Sequence, residues 1–269
     1  MSTGFLCQAA LAAADNVKKW TAKYSLPTSA ATRGSAPFLP RGSRGCGVIA
    51  EVKMRSPSRG DLLNGREPEP LAQIYQQAGA EAISVVVEER HFGGSPELFE
   101  RVRKKTELPM LWKDFIVDPY QIHLAAALGA SAVLIIIGLV PDDKTRDFIR
   151  LARELGITAL VEIHREDELE RALSAGAEIV GVNNRNLVSL EVEPEKAEKM
   201  GSLFPAGLRS VSESGMKGPA DVRSMAGLGY RAVLVGEALV TAGDPGSLLR
   251  EMVEAGKGTS KNKRPTSNV

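Results

Sequence analysis

The chain has 269 residues, of which 43% are hydrophobic and 25% are charged, as expected for a folded globular protein with a sizeable core. Its 34 basic and 33 acidic residues nearly balance, which excludes the broad positive field of a dedicated nucleic-acid-binding protein. The sequence also lacks an apolar run of the roughly 18 residues that a membrane-spanning helix needs, so we expect neither nucleic acid nor a membrane as a partner.

Residues 1–46 are expected to form an N-terminal helical arm and loop. The spacing of apolar residues predicts an amphipathic helix over Phe5–Trp20, with one side formed by Phe5, Ala9, Leu11, Val17 and Trp20. A loose stretch rich in Ser, Gly, Pro and Arg follows over Ser29–Cys46. The first fifty residues contain six basic residues and one acid, as an organelle transit peptide does, but the helical pattern favours an arm that is retained.

The chain has two cysteines, Cys7 and Cys46. Neither belongs to a CxxC pair or to a cluster with metal-ligand spacing, so the sequence predicts two reduced thiols and no metal site. We therefore expect a cytoplasmic protein, with an organelle as the alternative if the arm is a leader.

Between residues 47 and 255, short β-branched segments alternate with helical patterns. The segments recur about every 26 residues, which suits one strand and one helix of an eightfold barrel. The predicted strands are Val48–Val52, Ala82–Val87, Pro109–Trp112, Ala132–Ile136, Thr158–Val161, Ile179–Val182, Leu208–Val211 and Ala232–Val235. The predicted helices are Pro68–Ala78, Pro96–Lys105, Pro119–Leu128, Asp142–Leu155, Glu166–Ala175, Glu193–Met200, Ala220–Leu228 and Pro245–Val253.

This alternation predicts a (β/α)8 TIM barrel with an additional N-terminal helix, its catalytic domain spanning residues 47–255. Most strand segments are continuously hydrophobic, which is typical of parallel strands covered on both faces. A doubly wound open sheet is the alternative, but no GxGxxG motif follows any strand. Residues 256–269 are poor in apolar side chains and are predicted to be a disordered tail.

Charged and polar residues end four of the predicted strands. Because side chains alternate along a strand, Glu51 and Lys53 project to the same side, and Lys113, Glu162 and Asn183 end three further strands. In a barrel of this type the carboxyl ends of the strands form the active site, so we expect these side chains to share one cavity. The alternative is a stabilising charge network. If the two lysines lie together in a partly dry pocket, the pKa of a lysine is lowered.

Loops rich in glycine and serine follow the first, seventh and eighth strands and are candidates for binding a phosphate. They are Ser56–Gly60, the end of Val211–Gly215, and Gly236–Ala238. Glycine allows backbone N–H groups to approach an anion, and the loops after the last two strands are the usual phosphate position in such barrels. Ordinary turns are the alternative reading.

Six segments resemble successive motifs of the indole-3-glycerol phosphate synthase family. They occur in order over residues 47–254 and read IAEVKMRSPSRG, LWKDFIVDPYQIHLAAALGASAVLII, ALVEIHREDELERAL, GVNNRNL, SVSESG and VLVGEAL. The resemblance implies a tryptophan-pathway lyase that uses no cofactor and no metal. Its substrate is the phosphorylated small molecule 1-(2-carboxyphenylamino)-1-deoxyribulose 5-phosphate, which undergoes ring closure, decarboxylation and dehydration.

The resemblance also implies a role for each matching residue. Lys113 is the general acid of ring closure, Glu162 is the base or proton shuttle of dehydration, and Lys53, tuned by Glu51, holds the substrate carboxylate and serves as a second acid. The other matching positions are the polar residues Asn183, Glu213 and Ser214, the phosphate-side residues Ser56, Gly215, Gly236 and Glu237, and the substrate contacts Phe92 and Arg185.

Several features depart from that family or remain outside its motifs. The arm is rich in alanine where the family has a longer helix rich in Lys and Glu, so its closure over the substrate is an open question. Alternation predicts that Trp112 packs outward against helices. We expect His91, His123 and His164 to be packing or surface residues.

We expect the protein to be a monomer. Two other functions are alternatives to the synthase. Phosphoribosylanthranilate isomerase acts on a similar barrel but requires a thiol or carboxylate acid–base pair, and no cysteine ends a strand here. A catalytically idle phosphate-binding barrel has no physical need for Lys53, Lys113 and Glu162 at strand ends.

Overall fold

The structure is a computed structural model that describes residues 4–26, 36–42, 45–186, 189 and 191–257. Eight parallel strands close into a barrel, in which β1 pairs with both β8 and β2. The strands are β1 Gly47–Val52, β2 Ala82–Val86, β3 Met110–Lys113, β4 Ala132–Ile136, β5 Thr158–Ile163, β6 Ile179–Asn183, β7 Arg209–Glu213 and β8 Ala232–Val235. The prediction of a (β/α)8 TIM barrel is confirmed, and the open sheet is excluded.

Helices lie between the strands, and one more precedes the barrel. They are α1 Phe5–Lys23, α2 Pro68–Gln77, α3 Pro96–Arg103, α4 Pro119–Ala127, α5 Asp142–Glu154, α6 Glu166–Ser174, α7 Glu195–Gly201, α8 Pro219–Gly227, α9 Glu237–Val240 and α10 Pro245–Lys257. A short antiparallel hairpin, Arg55–Ser56 with Gly60–Asp61, follows β1. Neither this hairpin nor α9 was predicted from the sequence.

Helix boundaries follow the local signals in the sequence. At the start of α4, the Asp118 side chain accepts a hydrogen bond from the backbone N–H of Tyr120, and Pro119 occupies the first turn. At the other end, Gly129 adopts a φ of 86°, a left-handed conformation that stops the helix. These signals end α4 five residues before β4 begins at Ala132.

The structure extends four strands beyond their predicted carboxyl ends. Lys113 pairs with Val86 in the ladder, and Asn183 pairs with Glu213. The sequence analysis ended these strands at the last apolar residue, because a polar residue usually marks the end of a buried segment. Here the polar side chains point into the mouth of the barrel while their backbones continue the ladder.

Apolar side chains fill the inside of the barrel and the layer between strands and helices. The inner cluster includes Ile49, Leu111, Leu134, Ile136, Leu160, Ile179, Val211 and Leu234. As predicted, Trp112 lies outside the barrel, fully buried against Phe99 of α3 at 5.1 Å and Trp20 of α1 at 6.0 Å between ring centroids. Tyr120 fixes the end of α1 by donating a hydrogen bond to the carbonyl of Trp20.

The N-terminal arm contacts both ends of the barrel. Phe5 of α1 lies at the carboxyl ends of the strands, whereas Phe38 and Leu39 are buried in the inner cluster. The Leu39 carbonyl accepts a hydrogen bond from Arg209, the first residue of β7, so this segment closes the amino end. Parts of the predicted loose stretch, residues 29–35 and 43–44, lie outside the described residues.

The prediction that Leu11 lies on the same side of the helix as Ala9 and Trp20 is wrong. Leu11 is 63% exposed, whereas Ala9 and Trp20 are buried. Two residues along a helix rotate the side chain by about 200°, so Leu11 cannot share the buried side with Ala9. The buried stripe of α1 is instead completed by Ala12, Ala13 and Asn16.

The last helix continues past the predicted start of the tail. Gly256 is buried in α10, and its carbonyl accepts a hydrogen bond of 3.1 Å from the backbone N–H of Cys46. Residues 258–269, the rest of the predicted tail, lie outside the described part of the chain. Within the part that is described, no helix is both long and apolar enough to cross a membrane.

Candidate active site

A cavity opens at the carboxyl ends of the barrel strands, where the sequence analysis placed the site. Nearly all of the predicted residues line it: Glu51, Lys53, Ser56, Phe92, Lys113, Glu162, Asn183, Arg185, Ser214, Gly215, Gly236 and Glu237. The remaining one, Glu213, lies behind the wall and touches Lys113. The structure thus brings the whole predicted set to one place.

Lys113 lies between two buried carboxylates. Its Nζ donates a hydrogen bond of 2.6 Å to Glu213 Oε2 and is 3.7 Å from Glu162 Oε2. Burial alone lowers the pKa of Lys113, but the negative charges of Glu213 and Glu162 outweigh burial and raise it. The expected lowering of its pKa is therefore wrong for Lys113, because its nearest charged partners are acids rather than the second lysine.

The two carboxylates beside Lys113 have opposite pKa shifts. Burial would raise the pKa of Glu162, but its contacts with His164 and Lys113 outweigh burial and lower it to about 2. Burial also acts on Glu213 and, together with the charge of Glu162, raises its pKa to about 7 despite Lys113. Near neutral pH, the pair therefore contains one carboxylate that is firmly ionised and one that exchanges a proton.

A second ion pair faces the first across the cavity. Lys53 Nζ lies 3.1 Å from Glu51 Oε1, as the alternation of side chains along β1 predicts. Ser84 Oγ contributes a hydrogen bond to the other oxygen of Glu51. A Cβ atom at Gly236 would lie 2.4 Å from Glu51 Oε1 and 3.2 Å from Lys53 Nζ, so glycine at this position makes room for the pair.

Asn183 connects the acids to the loop after β7. Its Nδ2 donates a hydrogen bond of 3.1 Å to Glu162, and its Oδ1 accepts hydrogen bonds of 2.9 Å from Ser214 Oγ and from the backbone N–H of Arg185. Ser214 has a φ of 64°, an uncommon backbone conformation for a residue with a side chain. Asn183 thus holds Glu162 and the strained Ser214 in one fixed arrangement.

The glycine- and serine-rich loops meet on the side of the cavity where a phosphate is expected. Arg59, on the hairpin after β1, forms an ion pair of 3.1 Å with Glu237 at the start of α9. A carboxylate has no donor for an anion, so what Glu237 can offer one is its backbone N–H. Gly215 has a φ of 89°, and its position would bring a Cβ within 2.7 Å of Val192. These loops line one cavity, where backbone N–H groups can bind a small anion.

Aromatic rings form another part of the cavity wall. The ring of Phe5, on the arm, contacts three other rings. Its centroid lies 5.2 Å from that of His91, 5.9 Å from that of Phe115 and 6.4 Å from that of Phe92. The alanine-rich arm therefore reaches the cavity with an aromatic side chain. A flat apolar ring of a ligand fits against such a surface.

Glu88, which the sequence analysis missed, organises this aromatic wall. Its fully buried carboxylate accepts hydrogen bonds from the backbone N–H groups of Arg90, His91 and Phe92 and contacts His91 Nδ1 at 2.9 Å. The available signal was the same as for Lys113, since Glu88 is a charge that follows an apolar strand.

Two other residues near the cavity were also missed or given a different role. Asp114 lines the cavity and accepts a hydrogen bond of 2.9 Å from Gln121, and burial raises its pKa to about 7. His164 was expected to be a packing or surface residue, and it lies 3.2 Å from Glu162 with its side chain 13% exposed. Strand alternation puts Lys53 on the same side as Glu51, and the same rule would have predicted His164 beside Glu162.

Two comparisons with known proteins agree on the same family. The family model described as indole-3-glycerol phosphate synthase matches residues 9–252. An indole-3-glycerol phosphate synthase of Parafrankia sp. (strain EAN1pec) is 48% identical over 209 residues, which are 78% of each chain. One of Rhodococcus jostii (strain RHA1) is 48% identical over 212 residues, 79% of each chain.

A solved structure resembles the barrel without sharing its sequence. The thiamine phosphate pyrophosphorylase from Pyrococcus furiosus superposes with a TM-score of 0.59 at 15% identity, covering 78% of this chain and 94% of that chain. A likeness at this level of identity supports the fold alone.

Proposed function

The chain belongs to the indole-3-glycerol phosphate synthase family, and from this premise we propose how its residues carry out the reaction. The protein is a carboxy-lyase of tryptophan biosynthesis that converts 1-(2-carboxyphenylamino)-1-deoxyribulose 5-phosphate to indole-3-glycerol phosphate. The observation that carries our assignment of roles is the Lys113 ammonium between Glu213 and Glu162, which faces the Lys53–Glu51 pair across one cavity.

In the first step, Lys113 is the general acid. The ring carbon that bears the carboxylate attacks the ribulose carbonyl carbon, and the electron pair of the carbonyl bond takes the proton of Lys113 to form a hydroxyl group. The adjacent acids keep Lys113 in the protonated form that this step needs. Carbon dioxide then leaves, and the electron pair of the broken carbon–carbon bond returns to the ring.

In the second half, water leaves and the pyrrole ring becomes aromatic. Glu162 is the base, because it is ionised near neutral pH and lines the cavity, whereas Glu213 lies behind the wall. A cation gives a proton to the departing hydroxyl group, and Lys53 is the second acid available for it. Glu51, at 3.1 Å, holds Lys53 charged and in position. Before proton transfer, Lys53 is also the cation that binds the substrate carboxylate.

The remaining residues bind and orient the substrate. Asn183 and Ser214 fix the acids, Arg185 orients the substrate from the loop after β6, and Phe92 packs against the aromatic ring. Backbone groups at Ser56, Gly215, Gly236 and Glu237 hold the phosphate, since the loops that carry them line the cavity and follow the first, seventh and eighth strands.

Cellular location and assembly are further proposals. Phe5 forms part of the cavity wall, which supports an arm that stays on the mature protein rather than a cleaved leader. Cys7 and Cys46 are both unpaired thiols, as is usual in a reducing compartment. We therefore place a monomeric enzyme in the cytoplasm.

Formation of the indole ring, followed by absorbance or fluorescence, tests the activity directly. Purified protein with the carboxyphenylamino substrate should release carbon dioxide and indole-3-glycerol phosphate in equal amounts. The matched trial uses phosphoribosylanthranilate, the substrate of the competing isomerase. Cys46 precedes β1 at the amino end of the barrel, so the cavity does not receive this thiol. The cavity carboxylates Glu51 and Glu162 are paired with Lys53, Lys113 and His164, so we expect no turnover of that substrate. Absence of the indole product would overturn the proposal.

A further inference from the structure

Two strands of the barrel end in the same arrangement, an acid followed two residues later by a base. On β1, Lys53 lies 3.1 Å from Glu51. On β5, His164 Nε2 lies 3.2 Å from Glu162 Oε1, just after the last residue of the strand. Alternation along each strand puts both members of a pair on one side. Nothing in the mechanism above uses this histidine.

The contact at His164 is an ion pair rather than an aligned hydrogen bond. Among the described residues, Nε2 is buried and has no acceptor in hydrogen-bond geometry, although Glu162 is within ion-pair distance. Such a contact acts through charge, and the low exposure of both side chains reduces screening by water.

The groups that face His164 are mainly acidic. Glu162 contacts it from β5, and Glu168 of α6 accepts a hydrogen bond of 2.7 Å from its backbone N–H and pairs with Arg165. Glu213 acts on it from β7, and Lys113 is the cation on the far side of Glu162. Burial lowers the pKa of His164, but the surrounding acids outweigh burial and raise it, which favours the imidazolium form.

The two acids beside Lys113 are not equivalent. Acting alone, Lys113 would favour Glu213, rather than the base Glu162, as the ionised carboxylate. Its Nζ is 2.6 Å from Glu213 but 3.7 Å from Glu162, so by itself it stabilises the negative charge on Glu213 more. A proton taken up by the pair would then be placed on Glu162. His164 Nε2 and Asn183 Nδ2 lie 3.2 and 3.1 Å from Glu162 Oε1, and both favour its ionised form. Of the two, only an imidazolium at His164 adds a second positive charge.

Building on the proposed function, we propose that His164 is a positioning residue that keeps Glu162 ionised and directs the exchangeable proton of the pair onto Glu213. His164 does not line the cavity, so it acts through Glu162 rather than on the substrate. Glu162 can then act as base at a pH where Glu213 is protonated. Without His164, the proton moves to Glu162 and the base is lost as the pH falls.

The first test compares the pH profile of kcat in three variants. His164→Gln removes the cation, His164→Lys retains one, and His123→Gln makes the same change as the first variant on α4, away from the site. We expect the kcat of His164→Gln, relative to wild type, to be about tenfold lower at about pH 6 than at about pH 8.5. His164→Lys should recover most of the activity at low pH, and His123→Gln should match wild type throughout.

Two outcomes would overturn the proposal. In one, folded His164→Gln loses the same fraction of kcat at every pH, which is the result of a structural role. In the other, folded His164→Lys is as impaired at low pH as His164→Gln, which would mean that charge is not what His164 supplies.

The second test needs neither a variant at His164 nor any turnover. The chain has three histidines, so the imidazole signals of the wild type can be assigned by NMR with His91→Gln and His123→Gln. The proposal requires His164 to be an imidazolium at pH 7, and a neutral ring there refutes it. Because this measurement uses no substrate, its failure is distinguishable from failure of the proposed function.

Discussion

The carboxylate of Glu213 occupies space that a side chain at residue 181 would fill. A Cβ atom built on Gly181 of β6 would lie 2.1 Å from Glu213 Oε1, far inside van der Waals contact. Glu213 needs this position to reach Lys113 at 2.6 Å across the barrel. The glycine is thus part of the acid–base arrangement although it carries no functional group.

We predict that Gly181→Ala displaces Glu213 and lowers kcat by about 10- to 100-fold, because small misplacements of catalytic groups reduce rates steeply. Crowding a buried position should also lower the free energy of unfolding by about 1–3 kcal/mol. Steady-state kinetics and denaturant unfolding measure both effects. Gly227→Ala is the matched control, since a Cβ there meets no atom of the described residues within 4 Å. Wild-type kcat in folded Gly181→Ala would refute the argument.

Replacing Lys113 with methionine should remove turnover without preventing folding. Loss of a general acid typically costs 10²–10⁴-fold, so we expect kcat to fall by about 10³-fold. Lys144→Met, on the exposed surface of α5, is the control and should keep wild-type activity. If Lys113→Met is inactive only because it fails to fold, the charges form a structural network instead.

The same variant should become less stable as pH rises. Without the ammonium, Glu213 has a folded-state pKa still further above its unfolded value, because burial and the charge of Glu162 raise it and the charge that lowered it is gone. The folded state then binds more protons than the unfolded state, so its stability is retained below the unfolded pKa and falls as pH increases. Thermal unfolding should show a larger loss of Tm, relative to wild type, at about pH 8.5 than at about pH 6. An equal loss at both would contradict this account.

Much of this site follows from the sequence because its rules are local. Strand alternation predicts that Glu51 and Lys53 share a side, and the order of strands and helices places Lys113 and Glu162 at the same end of a barrel. The same local rule, applied to Glu162 and the residue two positions later, would have found His164.

What the sequence could not supply are distances across the barrel. Lys113 and Glu213 are 100 residues apart and lie on β3 and β7, which are not neighbours, so their contact depends on the closure of all eight strands. That contact decides the direction of the lysine pKa shift, which is why the sequence-based expectation had the wrong sign. The need for glycine at residue 181 could not be predicted either, because it depends on the position of the Glu213 carboxylate.

The arm should contribute to substrate binding through one ring. We predict that Phe5→Ala raises KM by about tenfold and changes kcat less, because Phe5 lies against Phe92 and Phe115 in the cavity wall and away from the acids. Leu11→Ala is the control on the same helix, since Leu11 is exposed. An unchanged KM in Phe5→Ala would show that the arm does not contact the substrate.

The arm should also detach as the solution becomes acidic. Glu97, at the start of α3, accepts hydrogen bonds from Lys23 and Tyr24 at the end of α1. Although its partial burial acts in the opposite direction, these contacts lower the pKa of Glu97 to about 2. Because the folded-state pKa is lower than the unfolded one, the stabilisation is present above the unfolded pKa and is lost as pH falls towards 2.

Tryptophan fluorescence can follow this detachment, because the chain has two tryptophans and they contact each other. Trp20 lies on the arm and Trp112 on the barrel, with 6.0 Å between their ring centroids. We expect Glu97→Gln at neutral pH to show the change in emission and the faster amide exchange in α1 that wild type shows only in acid. Glu100→Gln is the control, since the Glu100 carboxylate forms its ion pair with Lys104 at the end of α3. If Glu97→Gln keeps wild-type exchange in α1, the arm is held by its apolar contacts, and the ion pair with Glu97 adds nothing to them.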